Sequence, residues 1–430
     1  MDEIHGIRLR EFRQVKKEIR GSDRHLIVGI DVAKEKHNAF FGTATGKALH
    51  RGVTFDNTIE GFRKLLTLTE SLKVQYDLTK VIFGVEPTAN YHKPLGEHLI
   101  ECGHMVVLVS AAAVKNNRSL LDGRWDKHDT KDSANVADLI SQGKCLYYEY
   151  PDPKMRDLRN LLSLKRRLKK EEHGLRVRIR NQLLAQYFPE MDRHFGPAVS
   201  LAVVGRCFDP SMIAGMEYDE FRRSVAPGKL TLPQQKRLQA IWQMAPESIG
   251  CRVGDAVHFE AKVMVSGLHR VRETIESVED EIEDLCIQFP EYPCLLSIPG
   301  FGPDVSSKVL AAISYPFRFT SGKQVLKMAG FDLCANRSGK SSDSATPVIS
   351  KQGKAYLRYA LYQAALIASL TNKSFMTYYT NKLRGRQREK GIGTKMRVKL
   401  AAKLLVIAWT LMKKKESFDP TYLKKGDTEV

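Results

Sequence analysis

Between residues 25 and 109 short apolar runs alternate with amphipathic ones. Leu26–Val32, His37–Thr43 and Gly52–Phe55, with a turn at Thr45-Gly46-Lys47, predict a three-stranded meander. Behind Asn57 or Thr58 as a cap, Ile59, Phe62, Leu65, Leu66 and Leu68 recur at helical spacing and predict an amphipathic helix. Lys80–Val85 predicts a buried strand with Glu86 at its end, residues 91–101 a helix, and His104–Val109 a fifth strand. A further helix falls within Lys127–Ile140. Ahead of these elements, residues 1–24 alternate charges and predict a surface helix or a basic arm.

Beyond Pro151 and Pro153 the period changes. Met155–Gln186 predicts a long basic helix in which Leu161, Leu168 and Leu175 repeat every seven residues. Leu268, Val271, Ile275, Val278, Ile282 and Leu285 step by three and four along a second helix whose outer face is acidic. One basic and one acidic heptad helix predict an antiparallel coiled-coil arm, with residues 191–256 as a helical insertion. The pattern leaves open whether the two helices pair within a chain or between chains. From residue 291 onward the chain reads as mainly helical. Pro299-Gly300-Phe-Gly302-Pro303, ahead of Val305–Ile313, predicts a helix-hairpin-helix-like turn whose glycines and helix-start amides can hold a phosphate, or an ordinary interhelical turn. The expected class is α/β plus α in three parts, 1–150, 151–290 and 291–430. In the first part, three antiparallel strands followed by alternating helix and strand is the order of a RuvC-like ribonuclease H fold, which sets strands one and four side by side.

The 430 residues exceed an ordinary single domain, and 43% hydrophobic content suffices for real cores. Lys and Arg number 68 against 49 acidic residues, and the net charge of +19 favours a polyanionic partner, nucleic acid before an anionic membrane surface. Seven scattered cysteines form no Cys-x-x-Cys pair and no zinc-finger spacing, so they read as reduced thiols of a cytoplasmic protein. The charged N-terminus does not resemble a secretory signal, and the longest apolar run, Leu404–Met412, is too short to span a bilayer.

Within this frame four carboxylates stand out. Asp31 interrupts the apolar run from His25, Glu86 would face it from strand four, and Asp129 and Asp132 share one helical face. Four converging carboxylates repel one another unless cations neutralise them, and their hard oxygens suit Mg²⁺ or Mn²⁺. Two such ions about 4 Å apart can activate the attacking oxygen and stabilise the leaving oxygen of a phosphodiester. Singly, each acid reads as a strand-end, turn or helix-capping residue; their joint placement in one fold order distinguishes them. Asp138 fits a solvated face as well as a ligand position. Lys165, Arg166 and Arg167 on the basic helix, and Arg337, Lys340, Lys351, Lys354 and Arg358 near the end of the chain, are candidates for phosphate contact or solvated surface.

Val28-Gly-Ile-Asp31-Val-Ala-Lys34, Val85-Glu86-Pro-Thr88 and Lys127-His-Asp129-Thr-Lys-Asp132-Ser133 resemble the DEDD motifs of the transposases of insertion sequence family 110, which include Piv-type DNA invertases. Ala89 and Ser133 depart from the family's usual glycine and alanine, and neither is one of the four acids. The resemblance implies a second catalytic part, in which a Ser-Gly step precedes an Ile-Ser-Lys-x-Gly-x-x-x-Leu-Arg segment. Ser338-Gly339 and Ile349-Ser350-Lys351-Gln-Gly353-Lys354-Ala-Tyr-Leu357-Arg358 match it, although the serine alone would read as a turn residue. Ser338 is then the implied nucleophile, with Ser341, Ser342 and Ser344 as competitors. Also implied are metal-dependent strand exchange through a phosphoserine, double-stranded donor and target DNA, and a structured non-coding bridge RNA as guide. The implied assembly is a tetramer that joins the acidic site of one subunit to the serine of another. The alternatives are a junction resolvase using water on the same acids, an invertase, and a non-catalytic nucleic-acid scaffold.

Overall fold

In the computed structural model the chain forms two compact units, Met1–Asp152 with Phe317–Thr320, and Pro153–Pro316 with Ser321–Val430. The structure describes residues 2–122, 129–195, 205, 208–226, 228–334 and 348–423, without the side chains of 2–5, 119–122, 129, 130 and 422.

The first unit is built on a six-stranded sheet of order β3-β2-β1-β4-β5-β6. Its strands are β1 (His25–Asp31), β2 (Lys36–Thr43), β3 (Ala48–Asp56), β4 (Lys80–Val85), β5 (Met105–Leu108) and β6 (Leu146–Tyr147). β2 pairs antiparallel with β1 and β3, β4 lies parallel to both β1 and β5, and β6 closes the edge antiparallel. The neighbouring of β1 and β4 is the arrangement expected from the order of elements.

Leu26–Ile30 of β1 form a continuous apolar run because both faces of the strand are covered. Leu26, Val28 and Ile30 join a core with Phe62 and Leu65 of α2 (Ile59–Gln75) and Leu95 and Leu99 of α3 (His92–Glu101). On the opposite face Ile27 joins Val136, Ala137 and Ile140 of α5 (Asp129–Ser141). Thr58 caps α2 through its side chain, as its position suggested.

Three differences have simple causes. β3 begins at Ala48 rather than Gly52, because an edge strand needs no apolar run and most of its residues are exposed or half-buried. α4 (Ala111–Asp122) and β6 were not anticipated: β6 has two residues, too few to show a period, and in α4 the buried Val114 is followed by the polar stretch Lys115–Ser119, which interrupts a helical apolar pattern. α1 (Asp2–Glu18) is a helix, but not a plain surface one, since Leu9, Phe12 and Val15 form a buried stripe among its charges.

In the second unit α6 (Pro153–Arg178) continues into a π-helical turn over Ile179–Leu184. It runs antiparallel to the Asp255–Ile287 helix of the same chain: Lys165 meets Glu279 at 3.1 Å, and Glu172 meets Arg272 at 3.0 Å. Phe188, Phe221, Leu238 and Ile241 of the intervening segment pack against Ile179 and Leu183. The Pro303–Ile313, Ala355–Thr371 and Ile392–Lys414 helices bury Val309, Leu361, Ala364, Leu404 and Ala408. A two-stranded ladder, β7 (Leu333–Cys334) with β8 (Val348–Ile349), stands beside them. Among the described residues no helix is long and apolar enough to cross a membrane.

Candidate active site

Asp31 is the last residue of β1, and Glu86 directly follows β4. The two strands pair in parallel with Ile30 opposite Val85, so the acids occupy the next level of the ladder. Side chains alternate along a strand, which fixes the face. A Cβ placed on Gly29 would collide with the Ser133 carbonyl and lie 2.6 Å from the Ala137 amide nitrogen, both on α5. A Cβ on Gly84 would collide with Ile140 of the same helix. Asp31 and Glu86, each two residues beyond a glycine, therefore continue the face covered by α5. Both are half-buried.

The close approach at Gly29 and Gly84 also sets how α5 crosses the sheet: its residues Ser133 and Ala137 lie on β1 and Val136 and Ile140 on β4. Asp129 and Asp132 stand in the first turn of this helix. Asp132 is 3% exposed, and Arg118 of α4 donates to its Oδ1 from Nε at 2.9 Å and from Nη2 at 2.8 Å. The side chain of Asp129 lies outside the described residues. Asp138 accepts from Asn117 at 2.7 Å and from Gln142 at 2.7 Å, a bond set that fixes α5 to α4. Asn117 also donates to Asn135 at 2.9 Å, and Asn135 to the Val114 carbonyl at 2.7 Å.

Carboxylate oxygens from two strand ends and a helix start are the donor set that a hard divalent cation takes. Among the described residues no group of three or more His, Cys, Asp or Glu is gathered closely enough to hold a metal ion. The described part of the set is the neighbouring pair Asp31 and Glu86, with Asp132 turned to a guanidinium through one of its two oxygens.

In the second unit Ser338, Arg337 and Lys340 lie outside the described residues, as do Ser341, Ser342 and Ser344. The described residues on either side of them, Cys334 and Val348, face each other in the β7–β8 ladder. The chain next to this ladder is tightly built. Gly330, at φ +75°, has no room for a side chain beside Arg358 and Gln352, and a Cβ on Gly353 would lie 2.7 Å from the Gly330 nitrogen. Arg358 donates to the Ala329 carbonyl at 2.8 Å, and Ser350 to the Asp332 carboxylate. Lys351 is exposed and left-handed at φ +56°, while the Lys354 ammonium reaches the Ala312 carbonyl at 3.4 Å.

Of the basic candidates on α6, Arg166 and Arg167 are exposed. Lys165 sits instead between Asp304 at 2.7 Å and Glu279 at 3.1 Å. Burial pulls the Lys165 pKa down, but its bonds to Asp304 and Glu279 outweigh this and raise it. For Asp304 burial acts upward, and the bonds from Lys165 and Lys308 hold the carboxyl below its ordinary value. These groups line a cavity of about 870 Å³ together with Arg159, Lys354 and Tyr356. At the hairpin turn Gly300, at φ +88°, is pressed against Ala364 and Ala368, so its lack of a side chain serves packing, whereas Gly302 faces open space.

Arg118, Asn117 and the two strand glycines were not singled out from the sequence. The glycines had a signal: Gly29-Ile-Asp31 and Gly84-Val-Glu86 repeat a glycine two positions before an acid, and an isolated glycine in a strand marks a close backbone approach. Arg118 had none.

Residues 28–189 match the DEDD-type IS110 family described as transposase, and residues 292–380 match the transposase IS116/IS110/IS902 family. The chain is also similar to the "Insertion element IS110 uncharacterized 43.6 kDa protein" of Streptomyces coelicolor, with 23% identity over 400 residues, covering 91% of this chain and 95% of that one. Two matched regions in the order of the motifs, and a relative aligned over nearly its whole length, place the chain in the IS110 family of transposases, enzymes that cut and rejoin DNA.

Proposed function

We propose that this transposase moves a mobile element by cutting and rejoining DNA strands at an acidic centre formed by Asp31, Glu86, Asp129 and Asp132, with Ser338 as nucleophile. The observation that carries the reading is the placement of Asp31 and Glu86 at adjacent strand ends, on the face that α5 covers. The strand order supports a RuvC-like ribonuclease H fold for residues 1–150. We read residues 151–290 as the coiled-coil arm with its insertion, and residues 291–430 as the helical part that carries the serine.

The four carboxylates fit Mg²⁺ or Mn²⁺, which when bound supplies positive charge to the reacting phosphodiester. Asp31 and Glu86 hold their oxygens from rigid strand ends, and α5 brings Asp129 and Asp132 to them. Arg118 holds the buried Asp132 carboxylate in place through its two hydrogen bonds to Oδ1. A serine hydroxyl needs a base. A carboxylate of the centre takes the Oγ proton, the Oγ–P bond forms, and the bond from phosphorus to one ester oxygen breaks. The carboxyl returns that proton to the leaving oxygen; after strand exchange the corresponding hydroxyl of another cut strand attacks the phosphoserine, its proton passes to Ser338 Oγ, and the new phosphodiester forms as the Oγ–P bond breaks.

Donor and target DNA are the substrates, and a structured non-coding bridge RNA is the guide. The assembly is a tetramer in which the acidic centre of one subunit serves the serine of another, acting in the bacterial cytoplasm. Arg166, Arg167, Lys351 and the residues flanking Ser338 contact phosphates in this reading, and an invertase differs from it only in the arrangement of the DNA. Strand cleavage by full-length Asp31→Asn and Glu86→Gln tests the proposal: both lose cleavage while retaining DNA binding, and cleavage at the wild-type rate in either contradicts it.

A further inference from the structure

β1 ends at Asp31 and β2 begins at Lys36, so residues 32–35 form the turn directly after the proposed ligand. Each of the residues 33, 34 and 35 is held by one hydrogen bond from outside the turn. The Ala33 amide donates to Nδ1 of His37 at 3.3 Å. Asn57, just past β3, donates from its side chain to the Lys34 carbonyl at 3.1 Å and from its backbone to the Glu35 carbonyl at 2.8 Å.

His37 is an unusual choice for its place. It is fully buried, edge-on to Phe55 with ring centroids 5.2 Å apart and stacked with Phe62 at 6.3 Å. A phenyl ring would suit these neighbours as well, and burying an imidazole is unfavourable where a nitrogen stays unbonded, as Nε2 does here among the described residues. The Ala33 amide donating to Nδ1 makes that nitrogen the acceptor of the ring, and burial, partly offset by the Asn57 side chain, lowers the His37 pKa and so favours the neutral form this bond requires. What the imidazole provides that a phenyl ring lacks is the bond to Ala33.

We propose that His37 and Asn57 are positioning residues for the acidic centre: together they fix the 32–35 turn, and through it the end of β1, so that Asp31 keeps its carboxylate at the level of Glu86. The inference rests on the reading of Asp31 as a cation ligand. Residues that orient a ligand commonly change metal affinity by about 10–100-fold when removed.

The test is Mn²⁺ binding to the full-length chain, followed by electron paramagnetic resonance, beside thermal unfolding without added metal. His37→Phe keeps the ring and loses the acceptor; about 10-fold weaker Mn²⁺ binding is expected at an unchanged or raised unfolding temperature. His37→Asn, whose Oδ1 can take the place of Nδ1, is expected within about threefold of wild type even if it packs less well. Asn57→Ala, at a half-buried surface position, is expected to weaken binding as His37→Phe does, and it carries the test if the phenylalanine variant does not fold. Wild-type Mn²⁺ affinity in His37→Phe or Asn57→Ala, while Asp31→Asn has lost it, overturns the positioning role alone. Wild-type affinity in Asp31→Asn overturns the ligand reading and the inference with it.

Discussion

Asp31 and Glu86 close adjacent parallel strands at one level, a single residue beyond the Ile30 and Val85 pair. Two residues before each of them a glycine lets α5 settle onto the sheet. The pair and the helix over it are thus parts of one construction, and disturbing the glycines should disturb the acids.

Gly29→Ala tests this. The added methyl meets α5 backbone, which has no rotamer with which to yield, and overpacking of this kind is destabilising by about 1–3 kcal/mol. DNA cleavage should fall further than the folded fraction does, because α5 carries Asp129 and Asp132. A urea titration beside a cleavage assay measures both; cleavage that merely follows the folded fraction would separate α5 from the site.

Arg118→Met removes the cation that faces a nearly buried Asp132. An uncompensated buried carboxylate is destabilising by about 3–5 kcal/mol, and the partial exposure of Arg118 places the expected loss near the lower end. Because a bound cation also compensates Asp132, added Mn²⁺ should restore most of the stability, and more than it adds to the wild type. Equal gains in the two proteins would argue against Asp132 as a ligand.

Much of this construction was legible because it rests on periodicity. β1 and β4 are continuous apolar runs, each ended by an acid, and their adjacency followed from the element order. The partner of Asp132 was not legible: Arg118 lies in the polar middle of its helix, and nothing in its local sequence distinguishes it from the other basic residues. Lys165 shows the opposite limit. In sequence it belongs to a basic run with Arg166 and Arg167, yet in the fold it faces the acidic helix and Asp304, while its two neighbours stay exposed. A charge run does not reveal which of its members are already paired. The heptads predicted two helices, and only the structure showed that they pair within one chain.

Lys165→Ala should therefore act on stability, leaving Glu279 and Asp304 facing each other without their shared cation. With Asp304 half-exposed, the expected loss is on the order of 1–2 kcal/mol, below that of a fully buried pair. Arg166→Ala should instead leave the unfolding temperature unchanged and flatten the salt dependence of DNA binding. Unfolding curves and binding isotherms at two salt concentrations distinguish the two; a flattened salt dependence in Lys165→Ala at full stability would reverse their roles.

His25, His37, His92 and His104 of the first unit all have pKa values lowered below the ordinary 6.5, chiefly by burial. Between those lowered values and 6.5 the unfolded chain binds more protons than the folded one, so stability rises with pH across that window and falls on acidification below 6.5. The urea midpoint of the full chain should drop from about pH 7.5 to about pH 5.5, and His37→Phe should reduce the slope. An unchanged slope in that variant would show that His37 takes up its proton without loss of the fold.

The most direct measurement is of the bond between protein and DNA. Full-length protein with its co-expressed RNA is incubated with element-end DNA and Mg²⁺, quenched in denaturant, digested, and searched by mass spectrometry for DNA-linked peptide. The prediction is a phosphodiester-linked peptide that contains Ser338, absent in Ser338→Ala and in Asp31→Asn. Cleaved DNA with no attached peptide, at full rate in Ser338→Ala, would contradict the serine mechanism and leave hydrolysis by the acidic centre.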